Sequence, residues 1–132
     1  MSAERATYLD SSAIVKLVVA EPESAALRRY LRGRRPLVTS ALARVEVIRA
    51  LLPLGEAAVR RGNEVLSRLE PIRISDRVLA AAATYPPNEL RTLDGIHLAT
   101  AQQLGVDLAR VVTYDARMRQ AAASSFAVVA PS

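Results

Sequence analysis

The chain has 132 residues, of which 51% are hydrophobic and none is cysteine, and 18 Lys and Arg against 13 Asp and Glu give a formal net charge of +5. This length fits one domain over 1–132 with a sizeable core, and the composition excludes a disordered chain, disulfides and thiolate metal sites. Charged residues interrupt each apolar stretch before spanning length, and Glu4 and Arg5 do not fit a signal peptide, so we expect a soluble cytoplasmic protein with no membrane partner.

Short apolar stretches alternate with amphipathic ones along the chain. The predicted strands cover 6–9, 37–39, an edge strand at 72–74, 111–113 and 126–129. The predicted helices cover 13–19, 21–33, 41–52, 56–69, 76–84, 92–104 and 116–122. Ser40, Ser75 and Asp115 are predicted to cap the helices that follow them. This alternation predicts an α/β fold, a three-layer α/β/α sandwich around a short and mostly parallel sheet.

Four acidic residues, Asp10, Glu46, Asp94 and Asp115, lie within or beside apolar stretches that should be buried. Asp10 and Asp115 follow predicted strands, at the sheet edge where such folds bind their ligands. Carboxylates brought together at the edge of a core raise one another's pKa unless a cation offsets their charge. Oxygen-only ligands favour Mg²⁺ or Mn²⁺, which can activate water and neutralise a phosphodiester. The four acids therefore predict one cation-filled catalytic pocket.

Each acid also has a structural explanation when it is considered alone. Asp10, Asp94 and Asp115 stand where helix caps belong. Glu46, predicted in the middle of a helix, has no cap role but could form a partly exposed ion pair with Arg44 or Arg49.

Polar residues beside the acids are predicted to support them. Ser12 and Thr113 could hydrogen-bond the carboxylates or hold a metal-bound water, whereas Ser11 fits a helix cap equally well. His97, the only histidine, lies one turn after Asp94. It could contact substrate or have a structural role.

Four segments of the chain resemble the PIN-domain ribonucleases, specifically the VapC-like toxins of bacterial toxin–antitoxin pairs. These segments are Tyr8-Leu9-Asp10-Ser11-Ser12-Ala13, Val45-Glu46-Val47, Leu93-Asp94-Gly95-Ile96-His97-Leu98-Ala99-Thr100-Ala101 and Val112-Thr113-Tyr114-Asp115. The resemblance implies a PIN fold and Mg²⁺- or Mn²⁺-dependent endonucleolytic cleavage of structured RNA such as tRNA or rRNA. It implies a cognate antitoxin as partner and a homodimer or a larger toxin–antitoxin assembly. The acids of the metal and catalytic site would be Asp10, Glu46, Asp94 and Asp115, with Ser12 or Thr113 in support.

The basic residues are almost all arginine, because Lys16 is the only lysine in the chain. Arg28, Arg32, Arg34 and Arg35 are predicted to bind phosphates of the substrate around the acidic centre, contacts that position a nucleic acid without reading its sequence. The same side chains could be solvated helix faces, and a GC-rich genome would also favour arginine.

Two other functions remain open at this point. A catalytically silent module could bind RNA or act only as an antitoxin-bound regulatory partner, although such a module would not need all four acids. An aspartyl-phosphate enzyme or receiver also places an Asp after a parallel strand, but it needs a lysine near that Asp. Lys16, on a predicted helix, does not fit that position.

Overall fold

Five parallel strands form the centre of the molecule, which the computed structural model describes from residue 5 to residue 132. They are β1 (Ala6–Leu9), β2 (Leu37–Ser40), β3 (Glu70–Ile72), β4 (Leu108–Val112) and β5 (Val128–Val129), in the spatial order β3-β2-β1-β4-β5. Every neighbouring pair of strands is parallel. The predicted α/β class is confirmed, and so is the edge position of the third strand. Glu4, used above against a signal peptide, lies outside the described residues.

Helices cover both faces of this sheet. They are α1 (Ser11–Val18), α2 (Ser24–Leu31), α3 (Ala43–Leu51), α4 (Glu56–Leu66), α5 (Asp76–Ala83), α6 (Thr92–Gln103) and α7 (Ala116–Ala122). None of these helices, within the part of the chain that is described, is long and apolar enough to cross a membrane.

The strand side chains divide the core into two layers because successive residues of a strand point to opposite faces. Leu9 and Val112 pack in one cluster with residues of α1, α2, α3 and α4. Tyr8 and Val111 pack on the other face with Ala101 of α6. All four residues of β1 are buried, as expected for a central strand that is covered on both faces. The result is the predicted three-layer sandwich.

Several predicted boundaries shift by a few residues. The helix predicted over 41–52 begins at Ala43, and the chain continues beyond Leu51 as a 3₁₀ turn, Leu52–Leu54, that contains Pro53. Proline has no N–H to donate in an α-helix, but it is tolerated at the start of such a turn. Ser40 ends β2 instead of capping α3, and its Oγ accepts a hydrogen bond from Leu42 N at 3.1 Å.

The third strand covers Glu70–Ile72 and not Ile74. The helix before it, predicted over 56–69, ends at Leu66, because the chain must turn before it pairs with β2. The cap predictions for Ser75 and Asp115 are confirmed, since their side chains accept hydrogen bonds from the backbone N–H groups of Val78 and Met118.

Candidate active site

The four acidic side chains line one cavity at the carboxyl-terminal edge of the sheet. Asp10 directly follows β1, and Asp115 lies three residues beyond the end of the neighbouring strand β4. Glu46 projects from the first turn of α3 and Asp94 from the first turn of α6. The cavity has a volume of about 320 Å³, and its wall also includes Ser11, Ser12, Arg91, Thr92, Leu93, His97 and Met118.

Asp10 is almost completely buried, with 2% of its surface exposed. Its Oδ1 accepts hydrogen bonds from Ser12 Oγ at 2.7 Å and from Ala13 N at 3.0 Å, so this residue also caps α1. Its Oδ2 accepts a hydrogen bond from Thr113 Oγ1 at 2.6 Å. Burial raises the pKa of Asp10 even though these hydrogen bonds act to lower it. A positive charge placed beside Asp10 would therefore stabilise its ionised form.

Ser12 and Thr113 join the ends of β1 and β4 through Asp10. Besides donating to this carboxylate, Ser12 Oγ accepts a hydrogen bond from Tyr114 N at 2.9 Å. Thr113 Oγ1 accepts one from Asp115 N at 3.1 Å. Each hydroxyl thus has a donor on one side and an acceptor on the other, which fixes the direction of its proton toward Asp10.

Glu46 is held through one of its two carboxylate oxygens. Ser11 Oγ donates to Oε1 at 2.6 Å, and His97 Nε2 lies 2.6 Å from the same atom. Oε2 has no hydrogen-bond partner among residues 5–132. Burial acts to raise the pKa of Glu46, but the hydrogen bonds from His97 and Ser11 outweigh it and leave this pKa below its ordinary value. The carboxylate is therefore ionised, with one oxygen available.

The surface ion pair considered for Glu46 is not formed, since its partners are His97 and Ser11 and not an arginine of its own helix. The prediction that Glu46 lies in the middle of a helix is also wrong. The residue lies in the first turn because α3 begins only at Ala43. This position faces the carboxyl-terminal edge of the sheet, where the other three acids are.

His97 connects Glu46 to the buried hydroxyl of Tyr8. Only 1% of its surface is exposed, and its Nδ1 lies 2.7 Å from Tyr8 Oη, with the two rings nearly perpendicular. A carboxylate only accepts hydrogen bonds, so Nε2 carries the proton that faces Glu46. Burial raises the pKa of Tyr8, whose hydroxyl therefore keeps its proton and can donate to Nδ1. Of the two roles considered for His97, these contacts support a structural one, the orientation of Glu46.

Asp94 and Asp115 are bridged by a single guanidinium, that of Arg91. Arg91 Nε lies 3.1 Å from Asp94 Oδ2, and Arg91 Nη2 lies 2.9 Å from Asp115 Oδ2. The Arg91 side chain is 55% exposed, whereas those of Asp94 and Asp115 are 12% and 29% exposed. The hydrogen bond to Asp94, together with the charges of both carboxylates, raises the pKa of Arg91.

The sequence interpretation missed two residues of this site. Arg91 stands three positions before Asp94, a spacing at which opposite charges on a helix can pair. The sequence could therefore have predicted the Arg91–Asp94 ion pair. Tyr8 offered only a weak one, a hydroxyl on the polar tip of a residue in an otherwise apolar strand.

The carboxylate oxygens that line the cavity are the kind of ligand that a hard divalent cation prefers, and no thiolate is among them. The contacts of Arg91 show that Asp94 and Asp115 already share one cationic group. Across residues 5–132, however, no three Asp, Glu or His side chains are arranged so that they could ligate one metal ion. Ligation of one ion by three of these side chains would therefore require a change of side-chain position.

The prediction that Arg28, Arg32, Arg34 and Arg35 surround the acidic centre is wrong, because they lie at the edge of the sheet where the strands begin. Arg34 and Arg35 precede β2, whereas the acids follow the ends of β1 and β4. Parallel strands begin at one edge and end at the other, so these arginines are opposite the acidic cavity. Arg28, Arg32 and Arg35 border a second cavity of about 410 Å³, together with Arg68 and several apolar side chains.

Lys16 lies in the last turn of α1, where its Nζ pairs with Glu23 at 2.8 Å and Glu21 at 3.5 Å. It does not line the acidic cavity. Because this is the only lysine of the chain, the site lacks the lysine that an aspartyl-phosphate enzyme would need.

Comparison with known proteins agrees with the sequence resemblance. The model of the PIN domain family matches residues 7–124. Ribonuclease VapC46 of Mycobacterium tuberculosis is 63% identical over 128 residues, which cover 96% of this chain and 98% of that protein. Ribonuclease VapC35 of the same species is 46% identical over 129 residues, 94% of this chain and 96% of that protein.

The crystal structure of M. tuberculosis VapC20, described as a sarcin-ricin loop cleaving toxin, shares the fold with a TM-score of 0.76 at 16% identity, over 95% of this chain and 99% of that one. The chain therefore belongs to the PIN-domain family, among the VapC-like toxins.

Proposed function

We propose that this protein is a divalent-metal-dependent endoribonuclease that acts as the toxin of a toxin–antitoxin pair. The observation that carries the proposal is the convergence of Asp10, Glu46, Asp94 and Asp115 on one cavity at the carboxyl-terminal edge of the sheet. The proposal is supported by relatives that are named ribonucleases and cover nearly the whole chain, one of them at 63% identity.

Asp10, Asp94 and Asp115 would hold the Mg²⁺ or Mn²⁺ ion. When bound, such an ion lowers the pKa of an attacking water and neutralises charge on the phosphodiester. Ser12 and Thr113 would support the site by fixing the carboxylate of Asp10 through hydrogen bonds of 2.7 and 2.6 Å. Burial without a nearby cation raises the pKa of Asp10, so the positive charge of an ion would favour the ionised form that ligates it.

Glu46 would orient the attacking water and accept its proton at Oε2. Ser11 and His97 hold Oε1, which leaves Oε2 for this task. The lowered pKa of Glu46 keeps its carboxylate ionised near neutral pH, and this is the form that can accept a hydrogen bond from the water and orient it. His97 and Tyr8 would act only by holding Glu46 in place, since both are buried.

The substrate would be a structured RNA such as a tRNA or an rRNA. Arg28, Arg32, Arg34 and Arg35 would contact its phosphates at a distance from the cut. These residues and the acids are separated by the length of a strand, which is roughly 13 Å for the four residues of β1 or β2. An RNA that reaches both groups must extend around the sheet, and a folded RNA can present phosphates over such a distance.

Exposed apolar side chains offer a surface for partners. Val45, Leu52 and Leu54 are 58%, 52% and 58% exposed on α3 and the turn that follows it, whereas Leu51 belongs to the core. Such a group of side chains marks an interaction surface. Its occupant would be a cognate antitoxin or a second copy of the chain, in a homodimer or a larger toxin–antitoxin assembly. A solved toxin–antitoxin complex from Klebsiella pneumoniae contains a chain of the same fold, with a TM-score of 0.73 at 22% identity, over 96% of this chain and 98% of that one.

The substitution Asp94→Asn tests the proposal most directly. It removes one ligand charge with little change of shape, and we expect it to reduce Mg²⁺- or Mn²⁺-dependent RNA cleavage at least about 100-fold. Asp76→Asn is the matched control, because Asp76 also lies in the first turn of a helix but is outside the cavity. The assay uses antitoxin-free protein and cellular RNA, and the new RNA 5′ ends are mapped with and without EDTA.

Cleavage by Asp94→Asn at the rate of the wild type would contradict the site assignment. Asp10→Asn should behave in the same way as Asp94→Asn. A wild-type protein that binds RNA but leaves it uncut, in Mn²⁺ and without antitoxin, would instead indicate the catalytically silent module.

A further inference from the structure

Arg91 occupies the gap between two of the proposed metal ligands. Its guanidinium uses Nε for Asp94 and Nη2 for Asp115, at 3.1 and 2.9 Å. Two carboxylates at such a distance from one group would repel each other without a positive charge between them. In this structure, that charge is supplied by a side chain of the protein itself.

The backbone of Arg91 is fixed, but its side chain can move. Arg91 is the residue directly before α6, and its carbonyl oxygen accepts a hydrogen bond from Gly95 N at 2.9 Å. The side chain lies at the mouth of the cavity and is 55% exposed. A long arginine side chain at such a position can turn its charged end into water without disturbing the fold.

We propose that Arg91 is the resident counter-ion of Asp94 and Asp115, and that a divalent cation enters the site by displacing its guanidinium. The inference rests on the proposed function, because it takes these two carboxylates as metal ligands. It accounts for the fact that no three of the described acidic or histidine side chains converge on one point, since the guanidinium holds Asp94 and Asp115 on itself.

The displacement is energetically reasonable. Ion pairs between partly exposed side chains contribute little to stability, whereas a divalent ion carries twice the charge and binds carboxylate oxygens directly. Asp10 has no cationic partner, since its hydrogen-bond donors are two hydroxyls and a backbone N–H. Only the Asp94–Asp115 side of the cavity therefore has to exchange one cation for another. Arg91 sets the metal affinity of the site by competing for its ligands.

The test is a titration of metal-free protein with Mn²⁺ by isothermal titration calorimetry. Arg91→Gln removes the competing charge, and we expect the Mn²⁺ dissociation constant to fall roughly three- to tenfold. The matched control is Arg117→Gln on α7, the helix that Asp115 caps. Arg117 is exposed, does not line the acidic cavity and forms no ion pair with a described residue. Arg117→Gln should keep the Mn²⁺ dissociation constant within about twofold of the wild-type value, because this variant removes the same charge without removing a competitor for the ligands.

Thermal denaturation provides a second readout that does not depend on RNA cleavage. In EDTA, Arg91→Gln should melt slightly below the wild type, because Asp94 and Asp115 then repel each other. The rise in melting temperature on addition of Mn²⁺ should be larger for Arg91→Gln than for the wild type and for Arg117→Gln. This difference follows because tighter binding to the folded state stabilises it more.

The outcomes separate this inference from the proposed function. If the wild type binds Mn²⁺, and Asp94→Asn abolishes binding but Arg91→Gln leaves it unchanged or weaker, the metal site stands and the role of Arg91 is overturned. If Arg91→Gln binds Mn²⁺ and the wild type does not, Arg91 neutralises the two carboxylates but the ion does not displace it, and the inference is overturned. If neither protein binds Mn²⁺, both the inference and the proposed metal dependence fail.

Discussion

The two sides of the acidic cavity are held in different ways. Asp10 and Glu46 are fixed by buried or partly buried donors, which are the hydroxyls of Ser11, Ser12 and Thr113, the N–H of Ala13 and the imidazole of His97. Asp94 and Asp115 share one half-exposed guanidinium, and the other carboxylate oxygen of Asp115 accepts a hydrogen bond from the N–H of Met118. The partners of the first side are fixed by the packing of the helices on the sheet, whereas the second side depends on a side chain that solvent and ions can reach.

Under the proposed function, this difference separates Glu46 from two of the three metal ligands, whereas Asp10, the third, is held as firmly as Glu46. The proposed general base must stand in one place, and Glu46 is held by a hydrogen-bonded chain that ends at Tyr8 in the buried strand β1. The proposed metal ligands Asp94 and Asp115 must accept an ion that comes and goes, and they share a partner, Arg91, whose side chain is half-exposed. The two sides should therefore respond differently to substitution, and the three predictions below follow from that contrast.

The largest expected difference concerns stability. His97→Ala leaves a cavity beside Tyr8 and removes the partner of Glu46, and it should lower the free energy of unfolding by about 2–4 kcal/mol. Arg91→Gln should lower it by less than about 1 kcal/mol, since exposed ion pairs contribute little. Urea denaturation of both variants in EDTA measures this difference. Equal losses, or a larger loss for Arg91→Gln, would contradict the contrast between the two sides.

A smaller effect is expected for Tyr8→Phe, which removes only the hydroxyl that faces His97 Nδ1. Loss of this hydrogen bond frees the imidazole and thus Glu46, so kcat for RNA cleavage should fall roughly three- to tenfold, with KM and Mn²⁺ affinity nearly unchanged. Tyr85→Phe is the matched control, because Tyr85 is a partly buried tyrosine outside the acidic cavity. If both variants lose kcat equally, Tyr8 has no specific role in positioning Glu46.

The smallest expected effect is a change of folding stability with pH, which has opposite signs for Asp10 and Glu46. The pKa of Asp10 is raised above its ordinary value of 3.8, so between that value and the raised one the folded state binds more protons and stability falls as pH rises. The pKa of Glu46 is lowered from 4.5, so between the lowered value and 4.5 the unfolded state binds more protons and stability rises with pH. Asp10→Asn and Glu46→Gln remove these contributions.

Urea denaturation in EDTA, from about pH 3.5 to pH 7, tests this prediction. Relative to the wild type, Asp10→Asn should gain stability as pH rises, and Glu46→Gln should lose it. A difference of the same sign for both variants would show that the two acids do not have opposite environments.

Much of the fold could be predicted from local patterns. Strand β1 and helix α7 agree with their predicted bounds, and Ser75 and Asp115 cap helices as expected. These features depend on a few neighbouring residues and on the period of apolar positions. Boundaries that depend on distant contacts were missed, such as the early end of α4, where the chain turns to pair Glu70–Ile72 with β2.

For the site, the four acids were identified because each interrupts an apolar stretch, and the order of strands predicted that Asp10 and Asp115 would lie at one edge. Their partners could not be identified in this way. Tyr8 and His97 are 89 positions apart, and nothing near either residue indicates that their side chains meet.

The sequence by itself determined the α/β class, the acids and the family, because periodicity, cost of burial and motifs are properties of short segments. Only the tertiary structure decided which group neutralises which acid. Packing of α1, α3 and α6 against the sheet brings His97 and Ser11 to Glu46, and the loop before α6 brings Arg91 to Asp94 and Asp115. The hydrogen-bond and ion-pair partners of the carboxylates depend on distances of a few ångströms between segments of the chain, and these distances exist only in the folded protein.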